Sequence, residues 1–512
     1  MPLRFRAISI VYDYSDIGFR GCDPMEPKYD PKVTRTTPAD RALHGNSAPG
    51  HAGPEGGGPV GRDYDLAVIG SGGGAFAGAI RARDLGRRVL MVDRGTIGGT
   101  CVNFGCIPSK ALLVRSEQVR LAGAPSLGEA LAAKDELVAR LRQAKYSDLL
   151  EEYGIEFRTG EARLLGPHTI AIDGEPVGAE AILVAAGARP RVPQIAGLVE
   201  AGYLTSTSAL ELTEAPRRLA VIGAGPVGLE IGQMLGNFGS DVTFVARRGV
   251  VPEAEPEISA AFREVLEADG HRVLAAAATT EIRVENGKKY LCGSAGGEPF
   301  ELAVDEILVA TGRTANTEEL GLEDVGVEVD PSGAIVVDAE QRTTVPSIYA
   351  AGDVTSQPRF VYVAAAGGTA AAENALGSGG ERLDFAALPQ IVFTRPAIAQ
   401  AGLTEAEARE RGVEVETTVL PLDAIPRALV SGDVHGLFKL VAEASSGRLI
   451  GASILAAGAP DVIQSAVLAI DRDMTVTELS RSWAPYLAMA EGLKLAAQTF
   501  ERDVAKLSCC AA

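Results

Sequence analysis

The stretch DLAVIGSGGGAFAGAIRARDLGRRVLMVDRG (Asp65–Gly95) decides the fold prediction for this chain. An apolar run is followed by a glycine-rich turn, a helical segment and a second apolar run that closes on Asp93. This order is that of a βαβ unit with parallel strands. The same design returns roughly 150 residues later as RLAVIGAGPVGLEIGQMLGNFGSDVTFVARR (Arg218–Arg248). The sequence therefore predicts an α/β fold with two Rossmann-like units.

Each unit carries a glycine loop of the kind that admits a pyrophosphate. Because glycine has no side chain, backbone N–H groups at the helix start can approach the phosphate oxygens closely. A lone loop of this type can be only a tight turn, and two copies also fit one duplicated fold. Two copies, each followed by a helix and a strand, favour two dinucleotide sites. The loop positions are Gly70, Gly72, Ala75, Gly223, Gly225 and Gly228.

The ends of the second strands separate the two predicted sites. Asp93 closes the first unit, and its carboxylate can accept hydrogen bonds from a free adenosine ribose, as in FAD. The second unit ends in FVARRG, where Arg247 and Arg248 would favour a 2′-phosphate. The alternative for these arginines is ordinary solvated surface. If the two arginines bind a 2′-phosphate, the sequence predicts FAD at the first unit and NADPH at the second.

The composition and net charge of the chain limit the classes of protein to which it can belong. The chain has 512 residues, a net charge of −19 and 46% hydrophobic residues, as expected of a soluble globular protein with several domains. The acidic balance argues against a nucleic-acid groove, and no uncharged apolar stretch is long enough for a membrane helix. The N-terminus has charges where a signal peptide would be apolar. We therefore expect a cytoplasmic protein without nucleic-acid or membrane partners.

Four further segments carry a family resemblance. GGTCVNFGCIPSK (Gly98–Lys110) holds two cysteines in a glycine-flanked loop, and ILVAAGARP, EILVATGRTANT and IYAAGDVT follow along the chain. With the two glycine loops, they resemble the flavoprotein disulfide oxidoreductases, the family of glutathione reductase and lipoamide dehydrogenase, from about Arg62 to the C-terminus. The resemblance implies two dinucleotide-binding domains and an α+β C-terminal dimerisation domain. It also implies cofactor contacts from Thr100, Lys110, Gly187, Glu230, Gly312 and Asp353.

The same patterns give the domain boundaries. Residues 1–61 are rich in glycine and proline, lack a CxxC pair, and indicate a disordered or linker extension. We expect the FAD-binding domain to comprise residues 62–212 and 340–383. The NADPH-binding domain would span residues 213–339, and the dimerisation domain, with a thiol tail, residues 384–512.

Cys101 and Cys106 form the first of two cysteine pairs. Six cysteines in 512 residues do not make a disulfide framework, so paired cysteines in a reducing compartment favour catalysis or metal binding. A helix N-terminus lowers a thiol pKa and favours the thiolate. The alternative is two buried structural cysteines. The resemblance implies a redox-active disulfide in which Cys106 contacts the flavin, Cys101 meets the substrate, and electrons arrive from NADPH through FAD.

A disulfide substrate requires a general acid, which this chain lacks where the resemblance places it. The leaving thiolate must be protonated, and histidine suits that role near neutral pH. Most of the family supplies it from a His-Pro segment of the last domain. Here SWAPYLAMAEGLKL (Ser482–Leu495) has Ala484 before Pro485, and the last histidine of the chain is His435. An ordinary disulfide reductase is therefore disfavoured.

The second cysteine pair, Cys509 and Cys510, indicates a different substrate. Adjacent Cα atoms lie about 3.8 Å apart, below the range of about 4.4–6.8 Å usual for disulfides. Two neighbouring thiols suit capture of a soft thiophilic cation, which needs no acid. The tail, together with FVYVAAA (Phe360–Ala366), is similar to that of mercuric reductases. This resemblance implies metal binding by Cys101, Cys106, Cys509 and Cys510, a metal site lined by Tyr203 and Tyr486, and a homodimer whose partner subunit supplies the tail.

These residues, with what the resemblance implies, predict an NADPH-dependent flavoenzyme that reduces Hg(II) to Hg(0) and detoxifies mercury. Hg(II) would be the substrate, passed as a thiolate complex from the tail pair to the inner pair. One alternative is a disulfide reductase of the thioredoxin, glutathione or lipoamide type. Another is a flavin-bound protein that sequesters soft metals without turnover.

Overall fold

The computed structural model describes residues 61–504. The predicted N-terminal extension up to residue 60 and the tail cysteines, Cys509 and Cys510, lie outside the described residues. Within that range the protein has the mixed α/β fold that the sequence predicts. No helix between residues 61 and 504 is both long and apolar enough to cross a bilayer.

The strands fall into three larger sheets and two smaller ones. In chain order they are β1 (Arg62–Ile69), β2 (Val89–Asp93), β3 (Glu156–Thr159), β4 (Ala162–Gly166), β5 (Thr169–Ile172), β6 (Glu175–Val184), β7 (Ala188–Pro190), β8 (Arg218–Ile222), β9 (Asp241–Ala246), β10 (Arg272–Ala275), β11 (Ala277–Glu285), β12 (Lys288–Ala295), β13 (Glu298–Val304), β14 (Glu306–Val309), β15 (Arg313–Ala315), β16 (Ile348–Ala350), β17 (Gln390–Val392), β18 (Ala397–Gly402), β19 (Val415–Pro421), β20 (Leu437–Glu443) and β21 (Leu449–Ala456).

The helices connect these strands and cover the sheets. In chain order they are α1 (Gly73–Asp84), α2 (Gly99–Asn103), α3 (Cys106–Ala122), α4 (Leu127–Arg142), α5 (Asp148–Tyr153), α6 (Leu198–Ala201), α7 (Ser206–Ala209), α8 (Pro226–Asn237), α9 (Pro256–Ala268), α10 (Leu322–Val325), α11 (Val361–Leu376), α12 (Glu405–Glu410), α13 (Pro426–Ser431), α14 (Ala459–Asp471), α15 (Val476–Ser480) and α16 (Glu491–Gln498). A π-helical turn, Gln143–Ser147, joins α4 to α5.

The first glycine loop follows β1 in a seven-stranded sheet. The strand order is β3-β2-β1-β6-β5-β4, and β16 pairs with β6 in parallel. β1 lies between β2 and β6, parallel to both, and its last four residues are buried. Strands buried in this way are typical of a parallel sheet covered on both faces. The pairing of β16 with β6 returns residues near 350 to the first unit.

Helices α1 and α11 pack closely against each other beside the first glycine loop. A Cβ at Gly368 would lie 2.0 Å from the Gly74 backbone oxygen, so only glycine fits this crossing. At the start of α11, the Cγ2 atom of Val361 lies 3.0 Å from where a Cβ of Gly73 would be. The N-terminal end of α11 is therefore held against the loop that begins α1.

The second glycine loop follows β8 in a smaller parallel sheet of order β10-β9-β8-β14. The register pairs Arg218 with Asp241 and Ile222 with Val245. An antiparallel sheet of β11, β12 and β13 accompanies it. The two βαβ units of the sequence are thus separate sheets, each with its own loop.

The C-terminal unit is an antiparallel sheet of order β17-β18-β21-β20-β19, and its apolar core includes residues of α14 and α16. This is the α+β arrangement that the sequence predicts. Lys439 on β20 is buried and joins the unit to the second one. Its Nζ atom lies 2.9 Å from carboxylate oxygens of Glu255, Glu257 and Glu405. A buried ammonium with several carboxylate partners resists separation because each partner would be left unpaired.

Candidate active site

The first glycine loop forms one end of a cavity of about 880 Å³. Gly70 has φ = +113°, and a Cβ there would lie 2.3 Å from the Ala185 backbone oxygen, so glycine is required. Asp93 also lines the cavity. Its carboxylate accepts hydrogen bonds from the Ser71 hydroxyl at 2.6 Å and the Gly95 N–H at 2.7 Å. These bonds orient the carboxylate and leave it further acceptor capacity for a ribose hydroxyl.

The second loop borders a cavity of about 770 Å³. A Cβ on Gly223 or Gly228 would clash with backbone oxygen, at 2.4 and 2.2 Å respectively. Gly225, in contrast, faces open space. This opening at the N-terminus of α8 is where a pyrophosphate could approach the backbone N–H groups. Arg247 and Arg248 line the same cavity.

The cysteine pair lies at the junction of two helices. Cys101 is within the short α2, and Cys106 is the first residue of the 17-residue α3. The Asn103 side-chain amide donates to the carbonyls of Ile97 and Gly99, both at 2.9 Å, and fixes this turn. Both cysteines are half-buried free thiols. Among residues 61–504, no three His, Cys, Asp or Glu side chains form a metal-binding cluster.

The two sulfurs differ in acidity. The Cys101 thiol hydrogen-bonds to the Cys106 sulfur, and this bond is the largest cause lowering the pKa of Cys106 to about 7. The positive charge of Lys110 lowers it further, against the effect of burial. The same thiol–sulfur bond, with burial, raises the pKa of Cys101. As the pH rises through about 7, the reduced pair therefore comes to hold one proton, on Cys101, and one thiolate, on Cys106.

We expect this asymmetry to appear in the pH dependence of alkylation. Because only the thiolate is nucleophilic, the iodoacetamide reaction of Cys106 in the reduced protein should rise with pH to a midpoint near 7 and then level off. Mass spectrometry of the modified cysteine at each pH measures this. Cys292 on β12 serves as the internal comparison. A midpoint above 8 for Cys106 would contradict the assigned thiolate.

Lys110 and Glu230 connect the pair to the rest of the protein. The Lys110 Nζ atom lies 2.7 Å from Oε2 of the buried Glu230 and 4.7 Å from the Phe393 ring centre. The other oxygen of Glu230 accepts the Phe393 backbone N–H at 2.9 Å. One carboxylate thus links α3, α8 and the segment before β18. The sequence marked Lys110 and Glu230 separately, and the structure joins them.

The other expected cofactor residues are distributed over both units. Asp353 follows β16, and its carboxylate lies 3.3 Å from the Arg313 guanidinium. Gly187 and Gly312 both have positive φ, +68° and +110°, which favours glycine. Thr100 lies in α2 beside Cys101, and a Cβ on Gly105 would lie 3.1 Å from its backbone oxygen.

Two tyrosines that the sequence did not single out lie within range of the charge of the sulfurs. Burial and the negative charges of Cys101 and Cys106 raise the pKa of Tyr146, in the π-helical turn. Burial and Cys106 raise the pKa of Tyr362 to about 12, and its hydroxyl donates to the Pro389 carbonyl. Tyr146 lies outside every recognised motif, while Tyr362 falls within FVYVAAA without being marked.

The two tyrosines that the sequence marked, Tyr203 and Tyr486, lie in other elements of the described chain. Tyr203 packs against the apolar core of the second unit, and its neighbour Leu204 donates a backbone hydrogen bond to Ile307. The contacts described for Tyr203 are with the second unit. Tyr486 is 66% exposed and Trp483 is fully exposed in the single chain. Both belong to the segment where a family histidine would be expected.

Comparison with known proteins identifies the family. Residues 64–368 match the pyridine nucleotide-disulphide oxidoreductase family, and residues 388–497 match its dimerisation domain. The chain belongs to this family. A mercuric reductase from Staphylococcus aureus is 47% identical over 88% of this chain and 84% of its own. One from Streptomyces lividans is also 47% identical, over 88% of this chain and 98% of its own.

A solved structure supports the same family. The HOCl-induced flavoprotein disulfide reductase RclA from Escherichia coli is 29% identical and superposes with a TM-score of 0.78. The match covers 85% of this chain and 99% of that chain. FAD and NADPH are the cofactors that this family membership implies. The residues fit both: Asp93 and the first loop suit FAD, while Gly225 and the two arginines suit NADPH.

Proposed function

We propose that this protein uses NADPH to reduce Hg(II) to Hg(0) at Cys101 and Cys106. The observation that carries the proposal is a half-buried dithiol with one thiolate, fixed beside Lys110 and Glu230. Soft thiolate ligands favour a soft metal ion. The similarity to mercuric reductases supports Hg(II) as that ion.

The chain's own residues account for binding. FAD, when bound, supplies the two-electron transfer between NADPH and the sulfur pair. Cys101, the sulfur expected to meet the substrate, loses its proton as it takes the metal, and the Cys106 thiolate supplies the second sulfur ligand. Overall, the two electrons of one NADPH convert Hg(II) to Hg(0), leaving NADP+ and one proton. The neutral metal atom carries no charge to hold it to thiolates and leaves.

Tyr146 and Tyr362 belong to this proposed site because both sense the charge of the sulfurs. Tyr146 also packs edge-on against Phe76, with ring centres 4.9 Å apart. The Tyr362 hydroxyl already donates to the Pro389 carbonyl, so we assign to Tyr146 alone the donation of a hydrogen bond that stabilises a thiolate. The aromatic rings also limit water at the metal.

We expect Tyr146→Phe to lower kcat for Hg(II) by about 10-fold, since one hydrogen-bond donor to a developing charge is lost. The matched control is Tyr203→Phe, which removes the same hydroxyl from the core of the second unit and should change kcat by less than about twofold. Steady-state NADPH oxidation with HgCl2 and excess thiol measures both. A larger loss of kcat in Tyr203→Phe than in Tyr146→Phe would place Tyr203, not Tyr146, at the metal.

The tail completes the proposal. Cys509 and Cys510, which lie outside the described residues, would capture Hg(II) from small thiols and pass it inward by thiol exchange. In this proposal the tail, with Tyr486, serves the active site of the partner subunit in a homodimer. The dimerisation domain and the exposure of Tyr486 and Trp483 support a shared site. A reducing cytoplasm would keep these thiols free.

The test is a comparison of substrates with the purified yellow protein. NADPH oxidation is followed with HgCl2 plus excess thiol, and separately with oxidised glutathione, lipoamide and thioredoxin. We expect turnover with mercury alone and a lower kcat/KM for mercury in a Cys509→Ala/Cys510→Ala variant. Turnover with a disulfide and none with mercury would favour the disulfide reductase. Metal binding without NADPH consumption would favour sequestration.

A further inference from the structure

An ion pair lies at the rim of the second dinucleotide cavity, where the sequence predicts phosphate recognition. β9 ends at Ala246, and Arg247 and Arg248 follow. The Arg248 Nη2 atom lies 2.6 Å from Oε1 of Glu253, a few residues further along the same loop. Arg248, Glu253 and Arg247 all line the cavity. One of the two predicted phosphate-binding arginines is therefore already paired with a carboxylate.

The charges around this cavity make Glu253 distinctive. Among the described residues that line it, four are arginines and Glu253 is the one carboxylate. Two of the arginines are engaged elsewhere: Arg191 donates to the Thr311 carbonyl, and Arg313 lies beside Asp353. Two arginines remain at the end of β9. Arg248 is paired with Glu253, and Arg247 has no ion pair within residues 61–504. The local net charge is +1 instead of +2.

We propose that Glu253 determines the nucleotide specificity of this site by holding Arg248 and repelling a 2′-phosphate. The proposal rests on the assignment of this cavity to the nicotinamide nucleotide. A 2′-phosphate is largely a dianion near neutral pH, so a carboxylate at the same rim opposes it, whereas a free 2′-hydroxyl meets no such repulsion. Discrimination between NADPH and NADH then depends mainly on Arg247 and is weaker than two free arginines would provide.

The experiment uses the FAD-loaded full chain and two probes that differ only in the 2′-phosphate. Binding of adenosine 2′,5′-bisphosphate and of AMP is measured by calorimetry at low ionic strength for the wild type, Glu253→Gln and Glu298→Gln. Glu298 begins β13 and does not line the cavity, so its variant removes the same charge from elsewhere in the second unit. We expect Glu253→Gln to bind the bisphosphate about fivefold more tightly and AMP within about twofold, as for exposed charges in high dielectric. Glu298→Gln should change neither.

A double-mutant cycle tests the role of Arg248. If Glu253 occupies Arg248, then Arg248→Ala should cost less bisphosphate affinity in the wild type than in the Glu253→Gln background, where the gain should fall to the part that comes from the lost repulsion. An unchanged bisphosphate affinity in Glu253→Gln, or an equal gain for AMP, would overturn the proposal. Neither probe involves mercury, so failure here is separate from failure of the proposed reaction.

Discussion

Cys106→Ser is expected to abolish mercury-dependent NADPH oxidation, with a loss of at least about 1,000-fold in kcat, because one of the two sulfurs that bind the metal, the one expected beside the flavin, is removed. Serine is nearly isosteric with cysteine, but its hydroxyl stays protonated near neutral pH and is a poor ligand for a soft metal. FAD binding should persist, since Cys106 does not line the cavity beside the first glycine loop, where Asp93 would hold the adenosine ribose.

Two further cysteine variants make this expectation specific. Cys292→Ser removes a half-buried free cysteine from β12 and should leave turnover unchanged. Cys101→Ser should also abolish turnover, yet it keeps the Cys106 sulfur near the flavin. The long-wavelength absorbance of a thiolate–flavin contact should therefore survive in Cys101→Ser and disappear in Cys106→Ser. The opposite spectra would exchange the roles of the two sulfurs.

Glu230→Leu is expected to slow flavin reduction by NADPH by about 100-fold, the size of effect that follows a displacement of about 1 Å in a reacting geometry. The substitution removes the Lys110 ion pair and the acceptor of the Phe393 N–H in one step. Glu230→Gln keeps an acceptor for Phe393 and loses only the charge, so its rate should fall less. Stopped-flow bleaching of the flavin absorbance measures the step without mercury.

The matched control lies one turn along α8. Gln233 exchanges hydrogen bonds with the Arg395 backbone, accepting the N–H at 2.8 Å and donating to the carbonyl at 2.7 Å. Gln233→Leu therefore breaks a similar link between α8 and the C-terminal unit without touching Lys110. We expect it to lower the thermal midpoint and leave flavin reduction within about twofold of the wild type. Equal slowing in both variants would mean that Glu230 acts only through the fold.

The fold was predictable from local pattern because its decisive features are local. Gly70 and Gly223 have backbone angles and neighbours that exclude any side chain. Glycine is therefore required at these positions, and its spacing in the sequence indicates a βαβ unit. The position of Asp93 was also predictable, because it is the last residue of β2 and the strand itself is recognisable in the sequence. The C-terminal α+β unit was predictable because strand-like segments are followed by helical segments in its sequence.

The residues of the candidate site were predictable only where they belong to a recognisable sequence motif. Tyr146, in the π-helical turn that follows α4, lies within range of the charge of the sulfurs, and nothing in its neighbouring residues signals that position. Tyr203 belongs to a segment that resembles the family, yet its position is fixed by the core of the second unit. The Glu230 link to Phe393 joins residues 163 positions apart, which no spacing rule reveals. Arg248 fitted a phosphate site by residue type, while its pairing with Glu253 depends on the path of the following loop.

The measurement that tests the central claim most directly is the yield of mercury vapour per NADPH oxidised. The FAD-loaded protein is supplied with HgCl2, excess small thiol and limiting NADPH, and the gas phase is assayed for elemental mercury. We predict one Hg(0) released for each NADPH consumed, and none from Cys106→Ser under the same conditions. NADPH consumption without mercury vapour, or vapour at the wild-type rate from Cys106→Ser, would contradict reduction of Hg(II) at the cysteine pair.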